Sequence, residues 1–144
     1  MIISFYIDGK VQAKQRPRLG RYSRYTPAQT KNYENWAKLC FINKYPNFKP
    51  LEKALRVNIF AYYEIPKSAG KKRKYDMLND NIRPTIKPDI DNIAKSILDS
   101  LNKIAYLDDK QVVDLEVKKM YAEKPCVYVV IEEINNTEEK QVWI

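Results

Sequence analysis

The sequence predicts a single α/β (α+β) domain, a mixed β-sheet of about four strands packed by two main helices. Three observations carry that expectation. Apolar residues recur at helical spacing in two segments, short alternating or continuously apolar runs occur in four others, and 144 residues suffice for one core but not for two independent ones.

Ile2 to Tyr6, with Ser4 between apolar neighbours, reads as an opening strand closed by the turn dipeptide Asp8-Gly9. A basic aromatic loop follows, in which Lys10, Lys14, Arg16, Arg18, Arg21 and Arg24 are interleaved with Pro17, Gly20, Tyr22 and Tyr25 and meet no acid. Thr26-Pro27 offers an N-cap followed by proline at the first helical position, and Tyr33, Trp36, Ala37, Cys40 and Phe41 recur at helical spacing as far as Tyr45-Pro46. Leu55, Val57, Ile59 and Ala61 alternate with Arg56, Asn58 and Phe60 in a second strand that ends near Ile65-Pro66. Pro66 to Tyr75 then holds Lys67, Lys71, Lys72, Arg73 and Lys74 beside Gly70. The polar residues that continue to Thr85 show little periodicity, so this segment is expected as a mobile loop.

Pro88 and Asp89 introduce the second helix, whose apolar positions Ile90, Ile93, Ala94, Ile97, Leu98 and Leu101 follow the spacing of one buried face, leaving its other residues exposed. Val113, Leu115 and Val117 alternate with Asp114, Glu116 and Lys118, a turn runs from Ala122 to Pro125, and Cys126 to Ile131 is continuously apolar. These last two strands are expected to pair as a hairpin. Residues 135–144 read as a mostly polar tail ending in Val142-Trp143-Ile144.

Lys+Arg 26 against Asp+Glu 18 leaves a net charge of +8, which favours a polyanion such as nucleic acid. No apolar run approaches the roughly 20 residues of a membrane span, and the first residues lack the pattern of a signal peptide, so the expected location is the cytoplasm, with no membrane partner. Cys40 falls in a helical pattern and Cys126 opens an apolar strand; both read as small buried hydrophobes rather than as a disulfide or a metal pair.

Against this basic background, Asp89, Asp91, Lys95, Asp99, Asn102, Asp108 and Asp109 are concentrated in one stretch. At about 100° per residue, Asp91, Lys95 and Asn102 share one flank of the second helix, with Asp99 further round. Asp99 reads as a solvated residue or a partner of Lys103. Carboxylates gathered against the prevailing charge call for a cation, and a chain with no histidine offers hard oxygen ligands, which suit Mg²⁺ or Mn²⁺. The functional reading is a Mg²⁺ held by Asp89, Asp91 and one of Asp108 and Asp109, activating a water for in-line attack on phosphorus without a histidine base. This requires the loop carrying Asp108 and Asp109 to return to the start of the helix. Lys95 would stabilise the transition state or the departing oxygen. The blander reading makes Asp89 a cap, Asp108-Asp109 a turn, and Lys95 an i,i+4 partner of Asp91 worth about 0.2–0.5 kcal/mol.

Asp89-Ile90-Asp91-Asn92-Ile93-Ala94-Lys95, Asp99-Ser100-Leu101-Asn102 and Asp108-Asp109-Lys110-Gln111-Val112 resemble the signature of the RusA family of Holliday junction resolvases, with all spacings kept. Lys14-Gln15-Arg16-Pro17-Arg18 and Tyr25-Thr26-Pro27 are similar to the N-terminal pattern of many members. The resemblance implies a homodimeric, RusA-like endonuclease domain over residues 1–134 that uses Mg²⁺, or Mn²⁺ in its place, to cut symmetric strands of four-way DNA. It also implies that Asp89, Asp91 and Asp109 are the functional carboxylates and Lys95 the functional lysine. Where relatives often carry arginines before the first aspartate, this chain has Ile86-Lys87-Pro88. The candidate DNA contacts are therefore Lys14, Arg16, Arg18, Lys71, Lys72, Arg73 and Lys87. Two other readings remain: a branched-DNA binding protein without catalysis, and a nuclease acting on flaps, forks or RNA.

Overall fold

The computed structural model describes residues 1–12, 18–19, 24–25 and 28–135. In chain order these form β1 (Ile2–Asp8), β2 (Arg18–Leu19), β3 (Arg24–Tyr25), α1 (Ala28–Lys44), β4 (Leu55–Glu64), α2 (Lys71–Leu78), α3 (Ile90–Leu101), a 3-10 turn (Asp109–Gln111), β5 (Val112–Ala122) and β6 (Cys126–Glu133). The main sheet has the order β1-β6-β4-β5, and β2 and β3 pair separately. The expected mixed four-stranded sheet is present, with α1 packed on β1 and α3, and α3 packed on β5.

The alternation of β4 buries Leu55, Val57, Ile59, Ala61 and Tyr63 against the helices. Ile3, Phe5 and Ile7 of β1, Val127, Val129 and Ile131 of β6, and Phe41, Ile93, Ile97 and Leu101 of the helices complete the core. Phe41 meets Phe5 and Phe48 edge to face, with centroids 5.2 and 5.4 Å apart.

The expected hairpin between β5 and β6 does not form. β4 lies between them, parallel to β5 and antiparallel to β6. Arg56 shows one physical reason: it pairs at 3.4 Å with Asp114 on β5 and at 3.4 Å with Glu132 on β6, so charges match across all three strands in this register. The short Glu123–Pro125 connection crosses the end of β4, where the Ile65 N–H donates to the Ala122 carbonyl at 3.1 Å.

The segment expected as a loop also differs, because Lys71–Leu78 is helical. One fully buried anchor, Met77, and a 3.4 Å pair between Lys74 and Glu123 hold α2 against β5. A single apolar anchor in eight residues leaves almost no periodic signal. In α3 the buried stripe is rotated from the expected one: Ser96 and Ser100 are buried, while Ile90 is 49% exposed. Ser100 satisfies its hydroxyl by donating to the Ile97 carbonyl at 2.6 Å.

The two edges of the sheet are treated differently. On β1, the Ser4 N–H donates to the Tyr45 hydroxyl at 3.1 Å, and the Ser4 carbonyl accepts from Tyr45 at 2.9 Å and Lys44 at 2.6 Å. On β5, Arg83 covers the Lys119 carbonyl at 2.7 Å, whereas Val113 and Leu115, nearer its start, are 61% and 45% exposed. Cys40 and Cys126 are free, and burial pushes both thiols up. Among the described residues, no helix is long and apolar enough to cross a membrane.

Candidate active site

α3 begins at Asp89, whose extended backbone (φ −69°, ψ 156°) occupies the N-cap position while its carbonyl accepts from the Ile93 N–H at 3.0 Å. Its carboxylate makes no capping hydrogen bond and is exposed, so capping does not account for it. Beside it, the buried Tyr63 hydroxyl donates to the Pro88 carbonyl at 3.1 Å. Burial and the charge of Asp89 push that phenol up to about 12. Lys119 lies 5.3 Å over the Tyr63 ring and donates to the Ile86 carbonyl, which brings an additional cation to this end of the helix.

From this point a groove of about 500 Å³ runs between α3 and β5, lined by Asp91, Lys95, Asp99 and Asp109 and by the apolar surfaces of Ile90, Ala94, Leu98, Leu115 and Val117. Asp91, Lys95 and Asp99 reach it because every fourth residue of a helix returns to nearly the same face. Asp99, read from sequence as solvated or tied to Lys103, is a half-buried wall of the groove.

The Asp108–Asp109 loop returns to the far end of α3, beside Asp99 and Asn102, rather than to its start. The Asp108 carboxylate accepts from the Lys110 N–H at 2.9 Å, and the Gln111 side-chain carbonyl accepts from the Asp108 N–H at 2.9 Å, forming a capping box. Gln111 also donates to the Leu51 and Lys53 carbonyls at 2.8 and 3.0 Å and so anchors the turn. Asp108 is therefore held below the usual carboxylate range, chiefly by the Lys110 N–H. Asp109 is pushed up by burial first, then by its hydrogen bond to Asp108 and the charges of Asp108 and Asp99, with an Asn102 hydrogen bond opposing the shift. The Asn102 carbonyl oxygen is itself buried without a partner. Tyr106 backs this cluster, donating to the Leu98 carbonyl at 2.6 Å, and burial together with the three aspartates pushes its phenol up.

The candidate set is thus split along the groove. Asp91 and Asp99 stand about 12 Å apart along the helix at 1.5 Å per residue, with Asp89 at the first end and Asp109 at the second. Among the described residues, no three carboxylates come close enough together to hold a metal ion. The donors themselves are hard carboxylate oxygens that fit Mg²⁺ or Mn²⁺ chemically.

Of the candidate DNA contacts, Lys71, Lys72 and Arg73 form the exposed first turn of α2, and Lys87 is exposed two residues before Asp89. Arg18 lies in β2. Lys14 and Arg16, with the Thr26-Pro27 cap, fall outside the described residues. Lys119 and the groove-lining role of Asp99 were missed from sequence, though both left a signal. Lys119 continues the alternation of Val113, Leu115 and Val117 with a cation, and Asp99 is four residues beyond Lys95.

Comparison with known proteins supplies a family. The family described as Endodeoxyribonuclease RusA matches residues 8–132. The chain is 35% identical over 139 residues to the uncharacterized protein YqaN of Bacillus subtilis (strain 168), covering 92% of this chain and 97% of that one. It is 30% identical over 129 residues to the crossover junction endodeoxyribonuclease rusA of Lactococcus phage r1t, covering 89% and 82% respectively. The expected mixed-sheet fold agrees with that match, and the chain belongs to the RusA family of endodeoxyribonucleases.

Proposed function

We propose that this nuclease is a structure-specific endodeoxyribonuclease that resolves four-way junctions by paired symmetric phosphodiester cleavage, in DNA recombination and repair. The observation that carries the reading is the groove itself: Asp91, Lys95 and Asp109 line one channel in a chain of net charge +8. The name of the phage relative, a crossover junction endodeoxyribonuclease, supports the same substrate.

Asp89, Asp91 and Asp109 are the proposed metal-holding and catalytic carboxylates, with Asp108 fixing the turn that presents Asp109. Mg²⁺, with Mn²⁺ able to substitute, would supply charge neutralisation at the phosphate and an activated water. Lys95 projects from the same helix face as Asp91 and is placed to neutralise charge on the phosphoryl oxygens or the departing oxygen.

Lys71, Lys72, Arg73 and Lys87 are proposed to hold phosphates, joined by Lys14, Arg16 and Arg18 of the basic loop. Three cations in the first turn of a helix oppose its dipole, an arrangement that a bound polyanion relieves. Two cuts in a nearly two-fold substrate call for a homodimer with two active sites. Residues 1–134 form the proposed endonuclease domain. The tail is residues 135–144, of which 136–144 lie outside the described residues.

The separation of the carboxylates into two groups favours one competing reading, a branched-DNA binding protein without catalysis. A labelled synthetic four-way junction separates the two. With Mg²⁺ or Mn²⁺ the protein should give paired symmetric nicks, and Asp91→Asn should bind without nicking. Binding without nicks in either protein would overturn the proposal.

A further inference from the structure

At the end of the sheet where β1 finishes the molecule carries a second hollow, separate from the acidic groove. Asp8, Lys10, Gln12, Asn32, Tyr33 and Trp36 line a cleft of about 510 Å³ between the end of β1 and α1. β1 and β4 both run antiparallel to β6, and Asp8 and Tyr62 both pair with Cys126, which places them at the same end of the sheet, about 10 Å apart at ordinary strand spacing. Tyr63 of that end holds the Pro88 carbonyl, one residue before Asp89.

Trp36 decides what the cleft can hold. Its indole N–H donates to the Asp8 carbonyl at 2.7 Å, which pins the ring and uses its single donor, yet 44% of the residue stays exposed. A pinned, half-exposed indole with no free donor offers a ligand one thing, a rigid π-face. Gln12 and Asn32 add amides that can both donate and accept, Lys10 adds an exposed ammonium, and buried Tyr33 closes the wall. A simple anion would meet the Asp8 carboxylate and leave Trp36 unused, and an apolar ligand would leave the amides unpaired. A nucleobase with its phosphate uses all of them: the base stacks on Trp36, its edge meets the amides, and the phosphate lies at Lys10.

Lys10 also lines a smaller hollow of about 200 Å³ with Tyr62, Tyr63 and Ile86. A strand leaving Asp89 therefore crosses Tyr63 and Lys10 to reach the cleft. We infer that the Trp36 cleft captures one unpaired base of the strand whose phosphate lies at Asp89 and Asp91, a specificity site that rests on the nuclease reading above. A branch point supplies such bases with little unpairing cost.

The test uses the full chain carrying Trp143→Phe, which leaves Trp36 as its single indole. Oligothymidylate should quench Trp36 emission saturably, while an abasic strand of equal length should not. Trp36→Ala should weaken oligothymidylate binding about tenfold, within the range measured for loss of one base stack, and Trp36→Phe should restore most of it. Asn32→Ala, which leaves the Trp36 hydrogen bond in place, should weaken binding with the fold undisturbed. Equal quenching by the abasic strand, or unchanged affinity in both Trp36→Ala and Asn32→Ala, would overturn the inference. Junction cleavage is scored on the same protein. Cleavage without base-dependent quenching overturns the cleft alone, and base-dependent quenching without cleavage supports the cleft while counting against the nuclease reading.

Discussion

Asp108 and Asp109 are adjacent in sequence and opposite in environment. A capping box takes up the Asp108 carboxylate and lowers its pKa, whereas Asp109 faces the groove and resists ionisation because it is partly buried beside other carboxylates. The stability effects consequently have opposite signs. Asp108 contributes stability above its unfolded pKa that is lost as pH falls, while any contribution from protonated Asp109 is lost as pH rises through its folded pKa. Since Asp109 must release its proton to accept a cation, Mg²⁺ affinity should begin to fall at a higher pH than for an ordinary carboxylate site as the solution is acidified. Titration calorimetry at a series of decreasing pH values checks this. Asp108→Asn should keep the cap and most cleavage, while Asp109→Asn should lose more than the roughly 10–100-fold that removing an outer-shell group costs. Equal losses in the two variants would refute the division of roles. At this scale the sequence made Asp89, Asp91, Lys95 and the aspartate pair visible through spacing. It did not show which of the pair faces the groove, because the hydrogen bond from the Lys110 N–H to the Asp108 carboxylate and the one from the Asp108 N–H to the Gln111 side chain decide that.

At the scale of elements, α2 joins a basic first turn to one buried anchor. If Lys71, Lys72 and Arg73 each neutralise a phosphate, replacing all three with alanine should reduce the slope of log affinity against log salt by about 2–3, with little change in melting temperature. An unchanged slope in filter-binding titrations would remove α2 from the DNA surface. Both main helices and all four strands of the main sheet were legible from periodicity, because each carries an apolar stripe, buried in α1, α3, β1, β4 and β6 and only partly covered in β5. Strand order was not. The β5 and β6 segments look like a hairpin because they are close in sequence, and the insertion of β4 depends on contacts such as Arg56 with Asp114 and Glu132 that no local pattern encodes. The rotation of α3 was hidden for a related reason: Ser96 and Ser100 count as polar in a pattern, yet they are small enough to be buried once the hydroxyl finds a backbone carbonyl, as Ser100 does at Ile97.

At the scale of the whole molecule, the two edge strands of the sheet, β1 and β5, differ in what covers them among the described residues. Tyr45 and Lys44 occupy the backbone groups of Ser4 on β1, whereas the first half of β5 leaves Val113 and Leu115 exposed. Tyr45→Ala should free the β1 edge and promote concentration-dependent association beyond the parent's own mass, read by light scattering; a scattering mass equal to that of the parent would count against this role. The asymmetry has a consequence for growth. A sheet that can accept a new strand on both sides can add copies indefinitely into a fibre, whereas one blocked side makes strand-to-strand addition self-limiting: a second copy joining antiparallel at β5 turns its own β1 edge outward, and the series closes at two.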